Sequence, residues 1–125
     1  LKLLLDTHLV LWWMTGEASR ISKRALAALG SEGMDPVISA VTIWEAAIKR
    51  GLGKLESPSD LLPQLERAGV ELLPVSARHA DLVFSLPPHH RDPFDRLLVA
   101  QATLEGLPLV SNDPLLRRYD VEIVW

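Results

Sequence analysis

The sequence predicts an α/β protein: a parallel sheet of about five strands with helices on both faces. Three observations carry this. Short apolar runs of strand length alternate with segments of helix length. Ser or Asp precedes several of the helical segments, and Gly or Pro closes most of them. No repeat, low-complexity tract or long polar linker divides the 125 residues, so the whole chain, 1–125, reads as one domain with one core.

The first strand is residues 1–5, an apolar run that ends abruptly in Asp6 and is followed by Thr7 and His8. Residues 8–14 form a short helix ended by Gly16. Its adjacent Trp12 and Trp13 point about 100° apart, so one enters the core while the other sits at its edge. The edge position also suits a partner surface. Ser19 caps a second helix, 20–29, stopped by Gly30 and Gly33. Arg20, Lys23 and Arg24 read there as a solvated basic turn. A strand at 36–39 leads into a helix at 40–50, closed by Gly51 and Gly53. A helix at 61–67 ends at Gly69, and a strand follows at 70–75. Ser76 caps a helix that Pro87-Pro88 closes.

After the polar loop His89-His90-Arg91, Asp92 and Pro93 open a long helix that runs to Glu105 and stops at Gly106. Its segment 97–104 is apolar nearly all round and is therefore expected to be buried. A strand at 107–110, a short helix from Asp113-Pro114 to Arg118 and a strand at 121–124 complete the chain. Right-handed crossovers follow from the general rule for parallel sheets.

Composition narrows the chemistry. Apolar residues make up 48% of the chain and charged residues 23%, values of an ordinary folded protein. With no cysteine, disulfides, zinc thiolates and cysteine nucleophiles are excluded. That absence fits a reducing cytoplasm. No apolar stretch approaches the roughly 20 residues of a membrane span, and residues 1–5 are too short for a secretory core. The formal charge of −3 argues against a broad basic nucleic-acid surface. It leaves room for an acidic, metal-loaded cleft.

Four acids stand out by position, and each also has a plain structural explanation. Asp6 follows the first strand, where it could cap a turn or helix. Glu45 borders the apolar stripe Val41, Trp44, Ala47, Ile48 and Leu52. It precedes Lys49 by one helical turn, a pairing worth about 0.3 kcal/mol on an exposed surface. Asp95 lies in the first turn of its helix, where the dipole favours a carboxylate. It shares a face with Leu98, Val99 and Ala102, so it needs a cation or hydrogen bonds. Asp113 caps the helix opened by Pro114, with Asn112 equally placed beside it.

The functional argument lies in their convergence. Asp6 and Asp113 follow strands, while Glu45 and Asp95 lie on helices that enter from the same carboxyl edge, where open α/β sheets bind ligands. Such a cluster repels itself unless a cation sits within it. Oxygen-only donors select Mg²⁺ or Mn²⁺ over zinc, and such an ion activates water and offsets phosphodiester charge. Thr7, Thr42 and Ser111 are candidate supports for the site. Lys49, Lys54, Arg91 and Arg96 are candidate phosphate contacts. No general base need be a histidine; His8 and His90 are nearby candidates, but they read rather as loop residues.

These segments resemble the PIN-domain nucleases, most closely the VapC-type toxins of toxin–antitoxin pairs. The matching stretches are Leu4-Leu5-Asp6-Thr7-His8 with Leu11-Trp12-Trp13, and Ser39 to Glu45 with Lys49 and Gly53-Lys54-Leu55. They continue with Arg91 to Ala102 and with Leu109 to Asp113. The resemblance implies a three-layer α/β/α fold with strand order 3-2-1-4-5. It implies a metal-dependent endoribonuclease in which Asp6, Glu45, Asp95 and Asp113 bind one or two Mg²⁺ or Mn²⁺ ions. It also implies an RNA substrate, a homodimer and a cognate antitoxin, with Trp12 and Trp13 as candidate antitoxin contacts. The other reading is a catalytically inactive PIN-like scaffold or RNA-binding module.

Overall fold

Strand β1, Lys2–Leu5, lies at the centre of a five-stranded parallel sheet in the order β3-β2-β1-β4-β5. The computed structural model describes all residues 1–125. The other strands are β2, Asp35–Ser39, β3, Glu71–Leu73, β4, Leu109–Val110, and β5, Ile123–Val124. The helices are α1, Thr7–Met14, α2, Lys23–Leu29, α3, Ala40–Gly51, α4, Leu61–Arg67, α5, Ala77–Ser85, and α6, Pro93–Glu105. The expected α/β class and strand order are both present.

Strand alternation divides the apolar side chains between two layers. Leu3, Leu5, Ile38 and Val110 pack with Leu9, Val10 and Leu11 of α1, Ala25 of α2, and Leu61 and Leu65 of α4. Leu4, Val37 and Leu109 point the other way, onto Leu98, Val99 and Ala102 of α6 and onto Leu116 and Tyr119. Leu4 is completely buried in the second layer. Truncating such a leucine to alanine typically costs about 2–5 kcal/mol.

Several local boundaries differ from expectation. The cap of α2 is Ser22, whose hydroxyl accepts from the Ala25 N–H at 3.1 Å; it is not Ser19, which lies in a short 3₁₀ turn, Ala18–Arg20. Ile21 is buried and extended between the two, and it breaks the helix that the pattern joined. Strand β4 is shorter than residues 107–110. Gly106 closes α6 in the left-handed region at φ 66°, and the Leu107 N–H turns back to the Ala102 carbonyl at 3.0 Å. The segment Pro114–Arg118 is a 3₁₀ helix.

The face of α3 is the largest departure. Trp44, Ile48 and Leu52 of the expected core stripe are 52%, 39% and 63% exposed, while Val41, Thr42, Glu45 and Ala46 are buried. Thr42 and Glu45 tolerate burial because each has a polar partner, Thr7 and Lys49 respectively. Trp44 lies edge-on to Phe94 with ring centroids 4.7 Å apart.

Candidate active site

The parallel strands all deliver their carboxyl ends to one edge of the sheet, and the acids singled out in the sequence gather there. Asp6, Asp95, Asn112 and Asp113 line one cleft, together with His8 and Trp12. Asp6 is 4% exposed and acts partly as the cap its position suggested: Oδ1 accepts from the Leu9 N–H at 3.0 Å. Its Oδ2 accepts from the Ser111 hydroxyl at 2.5 Å. Ser111 Oγ in turn accepts from the Asp113 N–H at 3.1 Å, so one serine links the ends of β1 and β4.

Glu45 is only 1% exposed. The expected surface pair with Lys49 is therefore a largely buried one, with Lys49 Nζ 2.5 Å from Glu45 Oε2. Lys49 also lies 3.4 Å from Asp92 Oδ2. This amine is held between two acids, which corrects its assignment to a phosphate contact. Burial works against its charge, but Glu45 and Asp92 outweigh that, and its pKa is raised. Glu45 Oε1 is buried without a hydrogen-bond partner. An unpartnered buried carboxylate oxygen is costly and calls for a cation or a proton.

Asp92 caps α6, its Oδ1 accepting from the Phe94 N–H at 2.8 Å. Asp95 follows in the first turn. Burial pushes the Asp95 carboxyl up to about 7, and the charges of Asp92, Glu45 and Asp6 add to the effect. Burial likewise raises Asp6, against hydrogen bonds from Ser111 and Leu9 that lower it. Glu45 thus acts electrostatically on both Asp6 and Asp95, which places all of these charges in one field.

His90 is the residue that sequence reasoning set aside. Its Nε2 lies 2.7 Å from Asp113 Oδ2 and 3.2 Å from Asp95 Oδ2, inside the acid cluster. The usable signal was its place two residues before the Asp92 cap, which puts it at the same edge of the sheet. Arg96 also departs from expectation. Its guanidinium donates to the carbonyls of Val83, Leu86 and Pro87 and to the Tyr119 hydroxyl, at 2.8 to 3.2 Å. Both of its terminal nitrogens are held by these acceptors, which leaves no open fork for a phosphate.

Thr7 and Thr42 share a buried hydroxyl contact at 3.1 Å that joins α1 to α3. Lys54 and Arg91 are exposed. Lys54 lines a cavity of about 450 Å³ that shares His8 and Trp12 with the acid cleft. Trp12 is partly buried against the core, and Trp13 is 45% exposed, which is the division expected of the pair.

The donor set fits a hard divalent cation. It consists of carboxylates, one with an open buried oxygen and another whose proton affinity is raised by burial and by the neighbouring acids.

The profile of the PIN domain matches residues 3–122. This chain belongs to the PIN-domain family. No curated protein sequence matches it. Among solved structures, VapBC2 from Rickettsia felis, bound to a DNA fragment from their promoter, aligns with a TM-score of 0.70 at 16% identity, over 98% of this chain and 97% of that one. FitAcB from Neisseria gonorrhoeae aligns at 0.62 and 21%, covering 97% and 95%. VapBC-5 of Mycobacterium tuberculosis, a member of a family of toxin–antitoxin systems, aligns at 0.62 and 22%, covering 98% and 97%. At these identities the likeness is one of PIN fold. No helix of the protein is long and apolar enough to cross a membrane.

Proposed function

We propose that this PIN-domain protein is a Mg²⁺- or Mn²⁺-dependent endoribonuclease, the toxin of a VapC-type toxin–antitoxin pair. The observation that carries the reading is the gathering of Asp6, Asp95 and Asp113 in one cleft, with buried Glu45, whose Oε1 is unpartnered, acting on Asp6 and Asp95. Asp6, Glu45 and Asp95 would hold the cation, with Asp113 beside them. When bound, Mg²⁺ or Mn²⁺ supplies Lewis acidity that activates water and offsets charge on the phosphodiester.

The chain's own residues prepare that chemistry. Ser111 and the Leu9 N–H fix the orientation of the Asp6 carboxylate. Lys49 holds one oxygen of Glu45, leaving the other free. The caps at Asp92 and Asp113 hold α6 and the following 3₁₀ turn against the cleft. Exposed Lys54 and Arg91 are placed to contact phosphates, which set register without reading bases. Hydrolysis would leave 5′-phosphate and 3′-hydroxyl ends on single-stranded or loop RNA, where splayed bases are accessible.

Regulation by an antitoxin is supported by the toxin–antitoxin complexes among the similar structures. Exposed Trp13 and part-buried Trp12 are its candidate contacts. The exposed stripe Trp44, Ile48 and Leu52 supports a homodimer, since such an apolar face favours a cover. A cytoplasmic location accords with a cysteine-free chain. The test is cleavage of labelled RNA by wild type and Asp6→Asn, with Mg²⁺ or Mn²⁺ present or chelated. Metal-dependent cutting by wild type alone is expected. Cutting that survives both chelation and Asp6→Asn would sink the assignment.

A further inference from the structure

One nitrogen of His90 and one carboxylate oxygen each from Asp95 and Asp113 lie within 4.8 Å of one another, so distance alone makes them a possible metal-binding trio. The hydrogen bonds of the imidazole argue against that use. The Asp92 backbone N–H donates to His90 Nδ1 at 3.0 Å. A ring nitrogen that accepts carries no proton, so the N–H of this imidazole is at Nε2. Nε2 donates to Asp113 Oδ2 at 2.7 Å, and Asp95 Oδ2 lies 3.2 Å from it.

A metal-ligating histidine has the opposite arrangement. Its coordinating nitrogen is bare, and its other nitrogen donates to a carbonyl or carboxylate. Here the Asp92 N–H can only donate, so the ring is locked with its proton toward the acids. That proton is directed at Asp113 Oδ2, with Asp95 Oδ2 close beside the same nitrogen. The second oxygen of Asp113 accepts from the Leu115 N–H at 2.9 Å. The oxygens of Asp6 each accept a bond too, but neither donor is shared with a second acid. The backbone N–H of His90 is anchored on the Tyr119 hydroxyl at 2.9 Å, so the loop holds the ring in place.

We propose that His90 is a positioning residue: its Nε2–H, donated to Asp113 Oδ2 beside Asp95, keeps Asp113 out of the direct metal-binding set. Asp6, Glu45 and Asp95 would then hold the cation, and Asp113 would act through His90. This rests on the metal-dependent reading above.

The test is calorimetric titration of the full chain with Mn²⁺. In wild type, Asp113→Asn leaves Mn²⁺ affinity within about threefold, whereas Asp95→Asn lowers it by at least about 100-fold. In a His90→Phe background Asp113 is released, and adding Asp113→Asn there costs about tenfold. His90→Gln, which retains a terminal N–H donor, binds Mn²⁺ as wild type does. Nitrogen NMR of histidine-labelled protein gives a second readout: Nε2 of His90 stays protonated with and without Mg²⁺. An Nδ1–H tautomer overturns the proposal, and so does Asp113→Asn that costs as much as Asp95→Asn. Wild type that binds no Mn²⁺ brings down the metal reading itself, and the His90 proposal with it. Binding lost equally with either aspartate refutes only the role of His90.

Discussion

The two edges of the sheet hold acids under opposite conditions. At the amino edge Glu71 pairs with Lys2 at 2.7 Å, with the two side chains 46% and 50% exposed. At the carboxyl edge Asp6, Glu45, Asp92, Asp95 and Asp113 have only Lys49 and His90 within ion-pair distance, and two of these acids are almost fully buried. Water screens the first pair, so it contributes little. It cannot screen the second group, where each added charge raises the energy of the others. The same residue types are thus ordinary at one edge and strained at the other. The difference comes from topology, which directs the successors of parallel strands to one place.

If this contrast is real, pH should expose it first. An unfolded chain releases the Asp95 proton near the ordinary carboxylate value of about 4, whereas the folded, metal-free protein holds it until about 7. Between those values the folded state binds more protons. Stability is therefore present in full below about pH 4 and is lost as pH climbs through about 7, by up to about 4 kcal/mol. Urea unfolding at a series of pH values checks this, and Asp95→Asn should flatten the slope. A slope of the opposite sign would show that the acid cluster is already compensated.

Lys49→Met sharpens the comparison next. An exposed pair one turn apart is worth about 0.3 kcal/mol. Removing the partner of a buried acid costs about 3 kcal/mol or more. Denaturant unfolding at neutral pH, without metal, should give the larger value, because Glu45 is 1% exposed. Lys2→Ala is the matching change at the amino edge, and it should leave the unfolding midpoint unmoved.

The sequence made parts of this contrast legible and hid others. Strand β1 ending in Asp6, and the Asp-Pro openings at Asp92 and Asp113, are local signals whose capping chemistry can be read directly. They located three of the acids. The face of α3 was misread because periodicity identifies residues that avoid water, not what covers them. The apolar stripe through Trp44 and Ile48 faces outward, and Glu45 faces inward with Lys49 and next to Thr42. Arg96 looked like a free cation because its partners, carbonyls at the end of α5, lie on another element, and so does Asp92, the second acid that holds Lys49. His90 was missed for a related reason. Its Asp113 partner is 23 residues away, and only the closed fold brings the two together.

On the proposed reading, the excess of acid at the carboxyl edge holds a divalent cation. Thermal unfolding with increasing Mn²⁺ tests it most directly. Wild type should gain about 2.7 kcal/mol at a hundred times the dissociation constant, while Glu45→Gln and Asp95→Asn should each abolish the gain. No stabilisation of wild type, or a stabilisation that both variants retain, would contradict the account.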